Sequence, residues 1–411
     1  MNRPPLKPLD DALADLLAHA APLAETETLS LFDADHRVLA RDVVSPLQVP
    51  PRDNSAMDGY ALRSADVAQA GAVLPVSQRI PAGHAGTALA AGTAARIFTG
   101  APVPEGADAI VMQEDCTPLD GERVQINAVP PVGQWIRRSG EDIVRGSTVL
   151  TAGTRLGPPE LGLAASVGLA QVVVARRPRV ALFSTGDELV MPGTVPPEQM
   201  RPGAIYNSNR FFLRSMLERL GCEVTDLGVV PDRLDATVAA LAHAAERCDV
   251  IVTSGGVSVG EEDHVKPAVQ QLGGLDLWKI AIKPGKPFAY GYVRSGERRA
   301  HFMGLPGNPV SSFITFALLV RPFLLKLQGM VDVAHKAVAA TAGFDWDKAE
   351  KRREFLRVRW GADGRLQRFA NQSSGVLTST VWADGVVDNP PGTRIASGDT
   401  VRYIPLSELL A

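Results

Sequence analysis

The sequence predicts a multidomain protein of the α/β plus β class: a central α/β domain with a mostly parallel sheet, an inserted β-rich domain and a small, β-barrel-like C-terminal domain. The chain has 411 residues, which at about 150 residues per domain gives roughly three domains or four small ones. Strand and helix patterns alternate over residues 180–327, as they do around parallel sheets. Residues 331–411 alternate polar and apolar positions, which favours a small β-domain.

Changes in pattern divide the chain into four predicted domains. The 38 glycines and 31 prolines exceed average usage and favour many turns and short strands. The densest run of such turns lies within a more helical region, so a β-rich block is inserted there. The predicted limits are 7–44 with 143–176 for a mixed α/β domain, 45–142 for the inserted β-rich domain, 177–329 for the α/β domain and 330–411 for the C-terminal β-domain.

Composition excludes several classes of partner. Lys and Arg number 42 against 45 Asp and Glu, giving a net charge of −3, so nothing favours nucleic acid or a membrane surface. Cys116, Cys222 and Cys248 lack C-x-x-C spacing, which argues against a disulfide framework or zinc site and suits a reducing cytoplasm. The most apolar stretch, residues 313–320, is too short to span a bilayer and predicts a core helix.

The stretch from residue 249 to residue 309 carries the strongest signal for a ligand site. Residues 249–253 are apolar and β-branched, which predicts a buried strand, and residues 255–260 then supply three glycines. Acidic residues occupy positions 261–263, directly before a predicted helix. Backbone N–H groups at such a loop bind anions, while carboxylates hold a hard cation such as Mg²⁺. A tight surface turn is the alternative interpretation of the glycine loop taken alone.

Lysines strengthen the interpretation as a ligand site. Residues 278–287 predict a second strand that delivers Lys279, Lys283 and Lys286 to one end. Carboxylates for a cation and ammonium groups for oxyanions together indicate a phosphate-handling site. Residues 184–188, 254–263 and 283–286 all fall at predicted strand ends, where α/β sheets bind ligands.

Composition alone does not assign a function to two polar segments of the inserted domain. Residues 53–58 form a polar cluster after two prolines, which is typical of a self-capping turn. Residues 137–142 carry two arginines and two acids around a glycine, which is typical of a solvated surface.

Motifs along the chain together resemble the molybdopterin molybdenumtransferases, the MoeA family, to which the gephyrin E domain also belongs. The resemblance covers nearly the whole chain, although the last ~80 residues match loosely. The segments that carry it are residues 53–60, 98–101, 139–142, 184–189, 254–260, 283–287 and 305–309.

The resemblance implies an elongated homodimer in which the split N-terminal region serves dimerisation and the α/β domain is similar to molybdopterin-binding folds. It also implies a reaction: molybdate supplies molybdenum to adenylylated molybdopterin, and Mg²⁺-dependent cleavage of the pyrophosphate link releases AMP. Molybdopterin adenylyltransferase and apo-molybdoenzymes are candidate partners.

Residue roles follow from the resemblance position by position. Asp58, Thr99 and Asp142 of the inserted domain are expected to reach the ligand crevice at the strand ends from the neighbouring subunit. At the acidic loop, Glu262 stands where the family pattern suggests a smaller or aromatic residue, so Glu261, Glu262 and Asp263 are all candidate metal ligands. The implied catalytic residues are Asp58, Thr99, Asp142, Glu188 and Asp263, with Glu188 and Asp263 as metal ligands. The implied substrate-binding residues are Asp232, Gly255, Gly256, Ser258, Gly260, Lys279, Lys283, Lys286, Pro306 and Ser311.

Two other functions compete with this one. A binding scaffold of the gephyrin E-domain type would not need both the acids and the lysines at the strand ends. A molybdopterin adenylyltransferase would consume ATP, which a molybdenum-inserting enzyme would not.

Overall fold

The computed structural model describes residues 6–256 and 264–410. Within this part of the chain, three sheets of six strands each occupy the inserted, central and C-terminal regions. Two-stranded ribbons connect the inserted region to the rest. The expected fold class of α/β plus β is confirmed, while the exact domain limits stay predictions.

The inserted region is carried on two chain segments that run antiparallel to each other. The outgoing segment begins after the N-terminal helix Leu9–Ala18, the returning segment contains the helix Pro158–Ser166, and the two segments pair three times. The pairs are Thr26–Ser30 with Gln171–Ala175, Val43–Val44 with Thr148–Leu150, and Asn54–Ser55 with Ile136–Arg137. Short 3₁₀ turns lie at Leu31–Asp33, Ser64–Asp66 and Gln113–Asp115.

The inserted sheet follows the two-residue period of half-buried strands. Tyr60 and Leu62 enter one apolar cluster, while Ala61 between them enters the other. Only glycine fits at position 59, because a Cβ there would lie 2.0 Å from the carbonyl oxygen of Val111 on the next strand. The strand order is Ala109–Met112, Gly59–Leu62, Ala94–Ile97, Ala72–Ile80, Arg123–Ile126, Cys116–Leu119.

The central sheet is mostly parallel, as expected. Its first four strands pair in parallel, and of the six only Pro287–Ser295 runs in the opposite direction among the described residues. Each strand faces apolar side chains on both sides: Val180 and Leu182 enter one core cluster, and Ala181 enters the other. The strand order is Glu223–Val230, Arg179–Thr185, Val250–Ser254, Arg298–Leu305, Pro287–Ser295, Gly273–Lys279.

Helices cover both faces of this sheet. The predicted core helix is confirmed: Pro309–Leu327 is 19 residues long with a mean hydropathy of 1.7. Its length and composition alone would suit a membrane span, but 94% of its most apolar window is buried inside the protein, as in a core helix. The helices are Asn209–Arg219, Leu234–Ala245, Val265–Leu272, Pro309–Thr315, the π-helical Phe316–Val320, and Arg321–Leu327.

The C-terminal sheet closes into a barrel, which confirms the expected β-barrel-like domain. Leu366–Arg368 extends the sheet beyond Arg353–Trp360, and a bridge between Ala342 and Leu366 joins the two ends. We call this domain the barrel. Its strand order is Ile282–Lys283, Arg353–Trp360, Gly385–Asn389, Thr400–Pro405, Val338–Thr341. The remaining elements are the helices Thr378–Trp382 and Leu406–Leu410, the ribbon of Leu189–Val190 with Ile205–Tyr206, and the 3₁₀ turn Pro197–Gln199.

The segment 176–178, which joins the strand Gln171–Ala175 to the central strand Arg179–Thr185, is anchored. The guanidinium of Arg176 donates to both carboxylate oxygens of Asp249, at 2.7 and 2.8 Å. Burial alone would raise the pKa of Asp249, but Arg176 and the backbone N–H of Arg179 hold it below its usual value. This bidentate pair fixes the start of the strand Val250–Ser254 against the preceding domain.

His301 makes folding stability sensitive to acid. Its Nδ1 lies 3.0 Å from the hydroxyl of Tyr290, and burial lowers its pKa to about 4. An unfolded histidine has a pKa of about 6.5, so the unfolded state binds more protons between pH 6.5 and pH 4. Stability from this group is therefore complete above pH 6.5 and is lost as the pH falls toward 4, by at most about 3 kcal/mol.

We expect the urea midpoint of a His301→Phe variant to fall less than that of the wild type between pH 7 and pH 4.5. His243, whose side chain is 59% exposed, supplies the control: His243→Asn should follow the wild-type curve. Identical curves for His301→Phe and the wild type would contradict the account.

Gly256 can be replaced only at a large cost in stability. It adopts a φ of +67°, and an added Cβ would lie 2.4 Å from Cγ2 of Val265 and 2.8 Å from Cγ2 of Thr185. We expect Gly256→Ala to destabilise the protein by ~2–4 kcal/mol, from left-handed backbone strain plus overpacking. Gly193→Ala is the matched control, since Gly193 has a φ of +86° with open space around it. Equal melting temperatures for the two variants would refute the packing contribution.

Candidate functional site

A cavity of about 550 Å³ opens at the carboxyl ends of the central strands. We call it the glycine-loop cavity. Most of its wall comes from the central domain, and the rest comes from the barrel. The residues that matter most below are Thr185, Glu188, Asn207, Asn209, Ser254, Gly255 and Gly307 from the central domain, with Gly375 and Leu377 from the barrel.

The cavity lies here because three strands end side by side. Ser254 is the register partner of both Ser184 and Leu305. The chain then turns at Gly255, whose N–H donates to the carbonyl of Leu305 at 3.1 Å. Gly255 has a φ of +93°, and a Cβ on it would lie 2.9 Å from the carbonyl oxygen of Thr185, so only glycine permits this turn.

Asn209 joins the two loops at the cavity floor and was missed in the sequence. Its Nδ2 donates to Ser254 Oγ and to the carbonyl of Gly307, both at 2.7 Å, and the residue is 8% exposed. Asn207 accepts from the backbone N–H of Arg210 at 3.2 Å, while its own buried Nδ2 has no partner among the described residues. That amide is a donor for a bound ligand. The available signal was the polar cluster at positions 207–209, directly before a helix.

Glu188 is the carboxylate of this cavity. Its side chain is exposed and folds over Gly186, where a Cβ would lie 2.6 Å from Oε2 of Glu188. Within residues 6–256 and 264–410, the structure gives this carboxylate no hydrogen bond or ion pair. Asp232 lies at the next strand end, with its Oδ1 3.4 Å from the hydroxyl of Thr185. A cation in the cavity would therefore find an uncommitted carboxylate at Glu188.

Lys283 lies in an adjoining cavity of about 590 Å³, which we call the lysine cavity. Its Nζ donates to Glu354 Oε1 at 3.0 Å and lies 3.6 Å from Glu350 Oε2. The expectation of one strand bearing three lysines is corrected here: the central strand ends at Lys279, and Ile282–Lys283 joins the barrel. Just beyond Lys279 the chain pairs with Lys7, whose N–H donates to the carbonyl of Lys279 and whose carbonyl accepts the N–H of Ala281, both at 2.8 Å.

Lys279 and Lys286 are both exposed near this edge of the sheet. In the part of the chain that the structure describes, neither ammonium group has a carboxylate within 4 Å. Pro306 and Ser311 are buried, at the end of the strand Arg298–Leu305 and in the helix Pro309–Thr315, and line neither cavity.

Residues 372–377 of the barrel, which we call the bordering segment, separate the two cavities. Gln372 and Ser373 line the lysine cavity, whereas Gly375 and Leu377 line the glycine-loop cavity. The carbonyl of Ser374 accepts the N–H of Val310 at 2.9 Å, which ties this segment to the central domain. Glu188 and Lys283 thus lie in two cavities that share the bordering segment as a wall.

Several expected site residues fall outside the described residues: Ser258, Gly260, Glu261, Glu262 and Asp263. Among the residues that are described, no group of three or more His, Cys, Asp or Glu side chains could hold a metal ion. The ligand assignment among the three acids stays open.

The inserted domain brings Asp58 and Thr99 together. Asp58 Oδ1 accepts from the N–H of Thr99 at 2.8 Å and from its hydroxyl at 2.7 Å, and these bonds lower the pKa of Asp58. Asp142 lies on an exposed loop, where its N–H donates to the carbonyl of Val49 at 3.1 Å. None of the three residues lines the glycine-loop cavity of its own chain.

Family models match most of the chain. The MoeA N-terminal region (domain I and II) matches residues 7–168, and the MoeA C-terminal region (domain IV) matches residues 339–406. Between them, a probable molybdopterin binding domain matches residues 181–326 and so contains both strand-end loops of the glycine-loop cavity.

Relatives match almost from end to end. A molybdopterin molybdenumtransferase of Haemophilus influenzae is 39% identical, over 98% of this chain and 99% of the relative. Another from Nostoc sp. is 36% identical, over 93% and 89%. The crystal structure of a molybdopterin biosynthesis MoeA protein from Pyrococcus horikoshii OT3 superposes with a TM-score of 0.84 at 29% identity, covering 98% of this chain and 100% of that one. These matches confirm the resemblance carried by the motifs, and the chain belongs to the MoeA family.

Proposed function

We propose that this chain inserts molybdenum from molybdate into adenylylated molybdopterin and releases AMP. The observation that carries the proposal is the pair of cavities on the two sides of the bordering segment: one has a carboxylate without a partner among the described residues, and the other has a lysine. The relatives named molybdopterin molybdenumtransferase support the same activity.

The glycine-loop cavity suits the nucleotide end of the substrate. Its volume of about 550 Å³ is ordinary for a small-molecule site. Gly255 has no side chain, so a phosphate can come close to its backbone. The Nδ2 of Asn207, which has no partner among the described residues, adds a donor for a phosphate oxygen. We assign the pyrophosphate link to this cavity, with Asp232 as a further polar contact.

Magnesium fits the donor set at Glu188, because Mg²⁺ is typically bound by one or two carboxylates together with substrate phosphates and water. We propose Glu188 and Asp263 as its protein ligands. When bound, the ion would neutralise the charge that develops on the pyrophosphate as it is cleaved. Glu188 has no hydrogen-bond or ion-pair partner among the described residues, so its carboxylate is available to bind the ion.

Molybdate is a tetrahedral dianion and needs hydrogen-bond donors with positive charge. We assign it to Lys279, Lys283 and Lys286; Ser311, which the resemblance also implies, is buried and lines neither cavity. Lys283 lies across the bordering segment from the cavity proposed for the nucleotide. Substrate that lies over this segment would meet both groups, which suits transfer of the metal to a nucleotide-linked pterin.

A homodimer would complete the site. Asp58 and Thr99 form an ordered, exposed pair that their own chain does not use in the cavity, and we propose that the partner's cavity receives them together with Asp142.

The alternative functions have less support. A scaffold would not need the Glu188 carboxylate and the Lys283 ammonium group in the two cavities. ATP consumption would distinguish an adenylyltransferase from an enzyme that inserts molybdenum. We also propose a cytoplasmic location, since Cys116, Cys222 and Cys248 are buried free thiols.

Replacing Glu188 tests the proposed activity. With adenylylated molybdopterin, Mg²⁺ and molybdate, Glu188→Gln should release AMP at least about 100-fold more slowly than the wild type, because charge stabilisation at the pyrophosphate is lost. Asp187→Asn is the control: this neighbouring acid is exposed, does not line the cavity and should keep most of the activity. Absence of AMP release by the wild type would overturn the proposed function.

Mixed dimers test whether the site is shared between subunits. We expect Asp58→Asn and Glu188→Gln homodimers to be nearly inactive. When the two variants are co-expressed, random pairing should restore about a quarter of wild-type AMP release, because half of the dimers carry one intact site. A site built within one chain would give no recovery.

A further inference from the structure

The short strand Ile282–Lys283 belongs to the sheet of the barrel rather than to the central sheet. Lys283 and Glu354 are directly paired across two parallel strands, and the N–H of Arg353 donates to the carbonyl of Ala281 at 2.8 Å. The barrel therefore sets the backbone position of Lys283, although this residue is distant from the barrel in sequence.

Glu354 is a buried carboxylate with both oxygens engaged. It is 1% exposed, its Oε1 accepts from Lys283 Nζ at 3.0 Å, and its Oε2 accepts from Trp346 Nε1 at 2.6 Å. A buried carboxylate requires a cation and hydrogen-bond donors to remain charged. Because each oxygen has its own donor, the carboxylate cannot rotate and the direction of its bond to Lys283 is fixed.

Lys283 keeps bonding capacity toward the lysine cavity. An ammonium group has three N–H donors, and Glu354 takes one of them. The side chain is 31% exposed and lines the cavity. The second acid, Glu350, lies farther away at 3.6 Å and is held by the guanidinium of Arg352 at 3.0 Å. The remaining donors of Lys283 can therefore meet a ligand.

We propose that Glu354 is a positioning residue for oxyanion binding: it holds the ammonium group of Lys283 toward the lysine cavity and itself touches no substrate. The inference rests on the proposed function, which assigns Lys283 to molybdate. It makes the barrel a working part of the site, because both the strand that carries this ligand-binding lysine and the group that orients it belong to the barrel sheet.

A competing account follows from the same contacts. Glu354 would only neutralise Lys283 and join the two domains, in which case removal of its charge would strengthen anion binding or weaken the whole fold. Glu354→Gln separates the accounts, since glutamine keeps an oxygen for Trp346 Nε1 and keeps the shape of the side chain while it removes the charge.

The test is a double-mutant cycle on Glu354→Gln and Lys283→Met, read by calorimetric titration of the full-length protein with molybdate and, separately, with AMP. We expect Glu354→Gln to weaken molybdate binding about tenfold and to leave AMP affinity unchanged, because AMP is assigned to the other cavity. In the Lys283→Met background, Glu354→Gln should cause no further loss, since both changes remove the same interaction.

Glu350→Gln is the matched control, because it removes the other acid near the same ammonium group; molybdate affinity should change less than about threefold. Tighter molybdate binding in Glu354→Gln, an equal loss in both backgrounds, or a parallel loss of AMP affinity would overturn the inference while leaving the proposed function intact. Failure of the wild type to bind molybdate would overturn both.

Discussion

Ser184, Ser254 and Leu305 are register neighbours at the ends of three parallel strands, and the other features of the site depend on this alignment. It brings the turn at Gly255 beside Thr185 and allows one side chain, Asn209, to tie two loops together. A shift by one residue would move Val180 and Leu182 into the cluster that now receives Ala181, and the resulting mismatch in side-chain volume favours the observed register. The chemistry of the site thus follows from ordinary core packing.

The barrel supplies what the central sheet lacks. Its bordering segment walls both cavities, and its Glu354 orients Lys283. Glu188 and Lys283 line different cavities and do not pair with each other. Separate cavities leave Glu188 uncommitted, while Lys283 is held by a carboxylate that no substrate needs to displace. A substrate with a nucleotide at one end and a metal-binding pterin at the other suits such a division.

Local patterns in the sequence were sufficient for the elements and for the position of the site. The run at 249–253 and the glycines after it predicted a strand end and a close turn; the structure has the strand at Val250–Ser254 and the turn at Gly255. The change of sheet after Lys279 could not be read locally, because the partners of the next residues, Lys7 and the strand at Arg353, are distant in sequence. Glu354 escaped for the same reason: its partner Lys283 is 71 residues away, and only the folded barrel brings them together. The acids at 261–263 lie outside the described residues, so their roles stay predictions.

The account claims that two adjoining cavities bind the two ends of one reaction complex. A crystal structure of the protein with AMP, Mg²⁺ and molybdate would test this claim most directly. The account predicts the AMP phosphate beside Gly255 and Glu188, and molybdate in contact with Lys283 on the far side of the bordering segment. Molybdate found away from Lys283, or AMP found outside the glycine-loop cavity, would contradict it.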